Sequence, residues 1–101
     1  MKILAIEKEV PNVKENDYKP FLKPEALKVW NLYQEGIIRE LYFTSSDNSA
    51  VLVMECKDAD QANKYLSTLP LVQEGLIRFE VFALIPYSGF ERLFTNILKP
   101  Q

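Results

Sequence analysis

The 101-residue chain has no histidine, one cysteine and three glycines, and each shortage excludes a class of chemistry. Without histidine, Ser-His-Asp and Cys-His nucleophile systems are ruled out. Zinc, copper and haem sites lose their usual ligands for the same reason. The lone Cys56 cannot form an internal disulfide. Three glycines are too few for a glycine-rich phosphate cradle. No cofactor and no metal are therefore expected. Lysines and arginines are scattered through a chain of formal net charge −2, which gives no footprint for nucleic acid or an anionic membrane surface. No apolar run is long enough to span a bilayer. The apolar start, residues 1–10, is short and carries Lys2, Glu7, Lys8 and Glu9, unlike a signal peptide. The expected location is cytoplasmic.

What is present suits one soluble domain, residues 1–101, with 48% hydrophobic and 26% charged residues. The chain also repeats itself. QEGIIR at 34–39 returns as QEGLIR at 73–78, a constant offset of 39 residues, as from Gly36 to Gly75. The wider windows LYQEGIIRELYF and LVQEGLIRFEVF share Leu, Gln, Glu, Gly, Ile, Arg and the final Phe.

Hydrophobic periodicity places the repeats on secondary structure. Residues 3–9 form an apolar strand, followed by a polar loop to about residue 19. Pro24 and Glu25 suit a helix start, Ala26, Val29, Trp30 and Tyr33 recur at helical spacing, and Gly36 closes the helix. Residues 37–44 and 50–56 are strands joined through TSSDNS as a hairpin. Asp58 and Gln61 suggest a capping box. Ala62, Tyr65, Leu66 and Leu69 give the second helix a buried stripe that Pro70 stops. Residues 76–85 are the fourth strand. The aromatic tail PYSGFERLF suggests a short helix near residues 90–97.

The order βαββαβ, with each repeat at a helix-to-strand corner, implies an α+β ferredoxin-like sandwich: a four-stranded antiparallel sheet with two helices on one face. Strands 3–6 and 51–54 are apolar without alternation, so both sheet faces call for burial. A second copy docked face to face would cover the open side, which implies a homodimer whose paired sheets make a dimeric α/β barrel with a shared interior.

Strand parity then sorts the side chains. Ile38, Glu40 and Tyr42 are expected under the helices with Ile77, Phe79, Val81, Ala83 and Ile85. The opposite, open face would carry Arg39, Leu41 and Phe43 with Arg78, Glu80, Phe82 and Leu84. A register opposing Phe43 to Val51 also opposes Arg39 to Glu55 as a charged pair. It extends the open face to Val53 and to Ile3, Ala5 and Glu7. Charges in such an interior either pair as salt bridges or serve a ligand pocket.

GIIRELYF, AVLVMEC, LSTLPL and FEVFALIPYSGFERLF resemble the muconolactone isomerase-like group of dimeric α/β-barrel proteins, over residues 22–94. Gly-x-x-Arg at 36–39 and Leu-Pro-Leu at 69–71 are the most distinctive parts. The resemblance implies a ferredoxin-like protomer, a face-to-face homodimer and a cofactor-free pocket between the paired sheets for a small, anionic organic ligand. It implies an isomerase that moves a proton next to a carbonyl. Arg39 matches the motif arginine and would bind a carboxylate or enolate oxygen. Glu55 would be the base, ideally with a raised pKa, with Glu7 and Glu80 as substitutes. Arg78 and Tyr42 complete the substrate-binding set. In the isomerases a histidine follows the motif arginine, whereas Glu40 stands here, which bears on the lactone reaction itself. The alternatives are a related lyase or cyclase, and a non-catalytic ligand-binding or stress-response barrel.

Overall fold

The computed structural model describes residues 1–94. The chain runs β1 (Lys2–Glu9), α1 (Glu15–Tyr18), α2 (Leu22–Gln34), β2 (Ile38–Phe43), β3 (Ala50–Glu55), α3 (Ala59–Leu66), α4 (Pro70–Gln73) and β4 (Ile77–Leu84). All pairings are antiparallel, in the order β2-β3-β1-β4. This is the α+β ferredoxin-like fold, with an open sheet.

The two copies of the repeat build the same corner. After α2, the Gly36 amide donates to the Tyr33 carbonyl at 3.1 Å and the Ile37 amide to Leu32 at 3.0 Å. After α4, the Gly75 amide donates to Val72 at 3.0 Å and the Leu76 amide to Leu71 at 2.9 Å. Both glycines are left-handed, with φ of 78° and 70°. Each pair of bonds satisfies carbonyls that a helix end would otherwise leave free, and the left-handed residue is what turns the chain into the next strand.

Other local choices are equally legible. The Asp58 side chain accepts from the Gln61 amide at 2.8 Å and caps α3 as expected, while Gln61 Oε1 accepts from the Lys57 amide at 2.7 Å, one residue before the N-cap amide that a capping box would use. Two readings are corrected. The loop before α2 contains the helical turn α1 and a 3-10 turn at Lys19–Phe21. Pro70 does not merely end a helix: it opens α4 at the first position, where its missing N–H is no loss. A 3-10 turn at Gly89–Leu93 covers part of the expected tail helix, whose end lies outside the described residues.

Ile3, Ala5, Ile38, Leu52 and Met54 from the sheet meet Leu32, Ala62, Leu66 and Leu69 in one buried cluster. Cross-strand partners share a face, so the register sorts the sheet. Leu4 opposes both Val53 and Phe82, and Ile6 opposes Val51 and Glu80, which puts these on the open face. Ala5 opposes Leu52 and Val81, which puts these beneath the helices. The placement of Ile3, Ala5 and Glu7 on the open face is thus wrong: Ile3 and Ala5 are fully buried on the helix side.

The β2 register is corrected too. Phe43 opposes Ala50, not Val51, and the ladder is interrupted between Ile38 and Glu40, so that Ile38 opposes Met54 while Glu40 opposes Val53. Arg39 is the extra residue of this bulge. A bulge shifts every later side chain to the other face. Leu41 and Phe43 therefore lie on the helix side, and Glu40 and Tyr42 on the open side. The physical reason is Glu40: unbroken alternation would have driven its carboxylate under the helices beside Ile38.

Candidate functional site

The helix side of the sheet is not fully covered. Helix α2 buries Leu32 against the core, but Trp30 and Tyr33 on the same helix remain about half exposed. Between α2 and the sheet lies a partly open cavity of about 950 Å³. Its walls are apolar: Val29 and Trp30 from α2, Leu41, Phe43 and Leu52 from β2 and β3, and Phe79 from β4. The bulge at Arg39 builds this wall, because it turns Leu41 and Phe43 inwards. Trp30 and Tyr33 lie against each other with ring centroids 6.0 Å apart, within the range of a favourable aromatic pair.

The titratable groups of the cavity are acidic or phenolic, with Asn48 and Ser49 beside them on the lining. Glu25, from the first turn of α2, is half-buried and accepts a hydrogen bond from the Leu71 amide at 2.9 Å. Burial holds its carboxyl above the ordinary carboxylate range. The Leu71 amide opposes that shift, and the nearby Glu7 charge adds to it. Glu7, from β1, accepts from the Ala50 amide at 2.9 Å. Tyr18, from α1, has its phenol pushed up by burial and by the charges of Glu7, Glu9 and Asp17. Glu9, Glu15 and Asp47 also line the cavity, and among the described residues no lysine or arginine does. A half-buried carboxyl with a raised pKa, on the lining of the same recess as a phenol, is equipped to take up and release a proton.

The residues expected from sequence are divided by the sheet. Glu7 lines the cavity, and Tyr42 reaches its edge. The Tyr42 phenol donates to Glu40 Oε1 at 2.7 Å, and that bond to a carboxylate raises its pKa. Arg39, Glu55, Arg78 and Glu80 do not line the cavity. Arg39 Nε donates to the Gly36 carbonyl at 2.5 Å, which ties the bulge to the preceding corner. Glu55 opposes Lys2 in the β1–β3 ladder and pairs with the amino group of Met1, not with Arg39. That hydrogen bond, with the charges of the amine, Arg39 and Lys2, lowers the Glu55 pKa despite some desolvation, the reverse of what a general base needs. Glu80 lies 3.6 Å from Lys8 Nζ across the β1–β4 ladder. Sequence reasoning missed Glu25 and Tyr18. Glu25 was legible only as a helix-start residue, and no periodicity marks Tyr18 in a polar loop.

Among the described residues, no group of three or more histidine, cysteine, aspartate or glutamate side chains is placed to hold a metal ion. No helix there is long and apolar enough to cross a membrane.

The sequence matches no protein-family model and no curated protein. Solved structures do share its fold. Muconolactone isomerase superposes with a TM-score of 0.71 at 18% identity, over 87% of this chain and 92% of that one. The 5-chloro-2-hydroxyhydroquinone dehydrochlorinase of Burkholderia phenoliruptrix, solved in complex with 2,5-dihydroxybenzoquinone, superposes with a TM-score of 0.59 at 17% identity, over 88% and 98% of the two chains. The fold expected from the sequence resemblance is therefore the fold observed.

Proposed function

We propose that this protein is a cofactor-free acid–base enzyme for a small cyclic organic molecule, an isomerase or a related lyase, and that the reaction takes place in the cavity beneath α2. The observation that carries the reading is Glu25, a half-buried carboxyl of raised pKa facing a cavity of about 950 Å³. That volume falls within the range usual for small-molecule sites. In its ionised form Glu25 takes a proton from carbon next to a carbonyl. The electron pair moves onto the carbonyl oxygen, where the Tyr18 phenol can donate a hydrogen bond. Return of the proton at a different carbon completes an isomerisation, and loss of a leaving group instead completes an elimination. The names of the two fold neighbours, an isomerase and a dehydrochlorinase, correspond to these two outcomes of one proton abstraction.

The open face of the sheet supports a homodimer in the same reading. Leu4, Ile6, Val51, Val53, Phe82 and Leu84 share that face, and Phe82 and Leu84 are each 40% exposed. A second copy would cover them and would also enclose Arg39, Glu55, Arg78 and Glu80 at the interface.

The test is a screen of lactones and halogenated or hydroxylated ring compounds for proton exchange at carbon in deuterated water, followed by Glu25→Gln and Arg39→Ala. Loss of exchange in Glu25→Gln supports the cavity site. Loss in Arg39→Ala with full exchange in Glu25→Gln would move the chemistry to the open face and overturn it. The non-catalytic barrel becomes the better reading if ligands bind in the cavity and none exchanges.

A further inference from the structure

The cavity has a charge character opposite to the one expected of its ligand. Its charged lining residues are all carboxylates: Glu7 and Glu25 on the walls, with Glu9, Glu15 and Asp47. Glu7 is near enough to Glu25 for its charge to raise the Glu25 pKa. Each accepts one backbone N–H, from Ala50 and Leu71 respectively. A carboxylate has two oxygens and about four acceptor sites, so both retain capacity for a further donor. No lysine or arginine on the lining balances them among the described residues. The remaining lining is rich in aromatic faces, with the Trp30–Tyr33 pair 6.0 Å apart and Phe43 and Phe79 from the sheet. A carboxylate ligand would add a like charge in a desolvated recess, which is unfavourable.

Resting on the reading of this cavity as a ligand site, we propose that its ligand is a small ring compound bearing a positively charged amino group. The ammonium would donate to the free oxygen atoms of Glu7 and Glu25 in charge-assisted hydrogen bonds. The ring would lie among Trp30, Tyr33 and Phe43, whose faces attract a cation as well as burying apolar surface. The same positive charge acidifies neighbouring C–H bonds, which suits proton transfer to a carboxylate. Arg39 and Arg78, the two arginines of the repeat, have no part in this selection.

The chain's one tryptophan, Trp30, is on the cavity wall, so its fluorescence reports occupancy directly. The full-length protein is titrated at neutral pH with three probes of nearly equal shape: benzylammonium, benzyl alcohol and benzoate. Benzylammonium is expected to perturb Trp30 with an affinity about tenfold or more above benzyl alcohol, a difference of about 1.4 kcal/mol, and benzoate is expected not to bind. Glu7→Gln and Glu25→Gln should each weaken benzylammonium by about tenfold and leave benzyl alcohol unchanged. Added salt should weaken benzylammonium alone, a readout that survives if either variant fails to fold. Equal binding of benzyl alcohol and benzylammonium, or binding of benzoate, overturns the charge preference while leaving the cavity as a ligand site. Failure of all three probes to perturb Trp30 overturns both the preference and the cavity reading.

Discussion

Gly75→Ala isolates the part of the repeat that is purely conformational. Gly75 sits at φ 70°, and a Cβ built there would meet nothing within 4 Å. Any cost must therefore come from the backbone, since an L-residue in the left-handed region is strained by about 1–2 kcal/mol. Alanine also narrows the unfolded ensemble, which offsets about 0.4–1 kcal/mol of that strain. The net loss is about 1 kcal/mol, or about 4–8 °C in Tm for a domain of this size. Gly36→Ala should lose a similar amount, because its Cβ would meet the Arg39 guanidinium only at 3.8–3.9 Å, an ordinary contact. Asparagine tolerates left-handed backbone better than alanine, so Gly75→Asn should recover part of the loss. Thermal melts followed by circular dichroism measure all three. If Gly75→Ala is as stable as the parent, the left-handed corner is not what the duplicated glycine supplies. A loss above about 3 kcal/mol would require packing that this corner does not have.

Glu25→Gln should flatten the dependence of stability on pH. The raised pKa means that the native state holds the proton more tightly than the unfolded chain. The Glu25 contribution is then fully present below the ordinary value of 4.5 and is lost as pH rises through the native value. The variant, which can still accept the Leu71 amide, should match the parent at low pH and equal or exceed it near neutrality; a parent that gains relative stability as pH rises would contradict this. Val53→Arg on the open face should convert a dimer to a monomer in sedimentation experiments, and a parent already monomeric at micromolar concentration would refute the face-to-face dimer. Leu32→Ala, at a side chain only 1% exposed, should cost about 3 kcal/mol in urea unfolding. Leu27→Ala, at 61% exposed on the same helix, should stay within about 0.5 kcal/mol.

The fold was legible because its signals are local and agree with one another. A helix cap at Asp58, a glycine at each helix-to-strand corner and apolar strands between them all imply the same βαββαβ order. The faces of the sheet were legible only where pairing is regular. Along β4, alternation from Ile77 to Ala83 gave the correct side for every residue, because no insertion interrupts its ladder with β1. Along β2 the same reasoning failed one residue beyond Ile38. A bulge has no signature in the residues that surround it, and a charge-matched pairing of Arg39 with Glu55 looked better than the true register.

That single extra residue also explains why the recess beneath α2 was not legible in the sequence. With regular alternation, Leu41 and Phe43 belong to the open face, and the recess beneath α2 loses two of its apolar wall residues. With Arg39 bulged, the two side chains pass under α2, while Trp30 and Tyr33 of that helix stay half exposed above them, and the space between remains unfilled. The arginine of the repeat bonds the Gly36 carbonyl and ties the bulge to the preceding corner. It follows that the faces beyond Ile38 depend on the residue count of β2. Deletion of Arg39 leaves Ile38 opposite Met54 and Glu40 opposite Val53 in an unbroken ladder, so Leu41 and Phe43 stay beneath α2 and Glu40 and Tyr42 stay on the open face. Such a variant should keep the apolar wall and bind benzylammonium as the parent does, read by Trp30 fluorescence, with the far-ultraviolet circular dichroism of the fold unchanged. If it folds and no longer binds, the bulge shapes the pocket by more than the faces it sets.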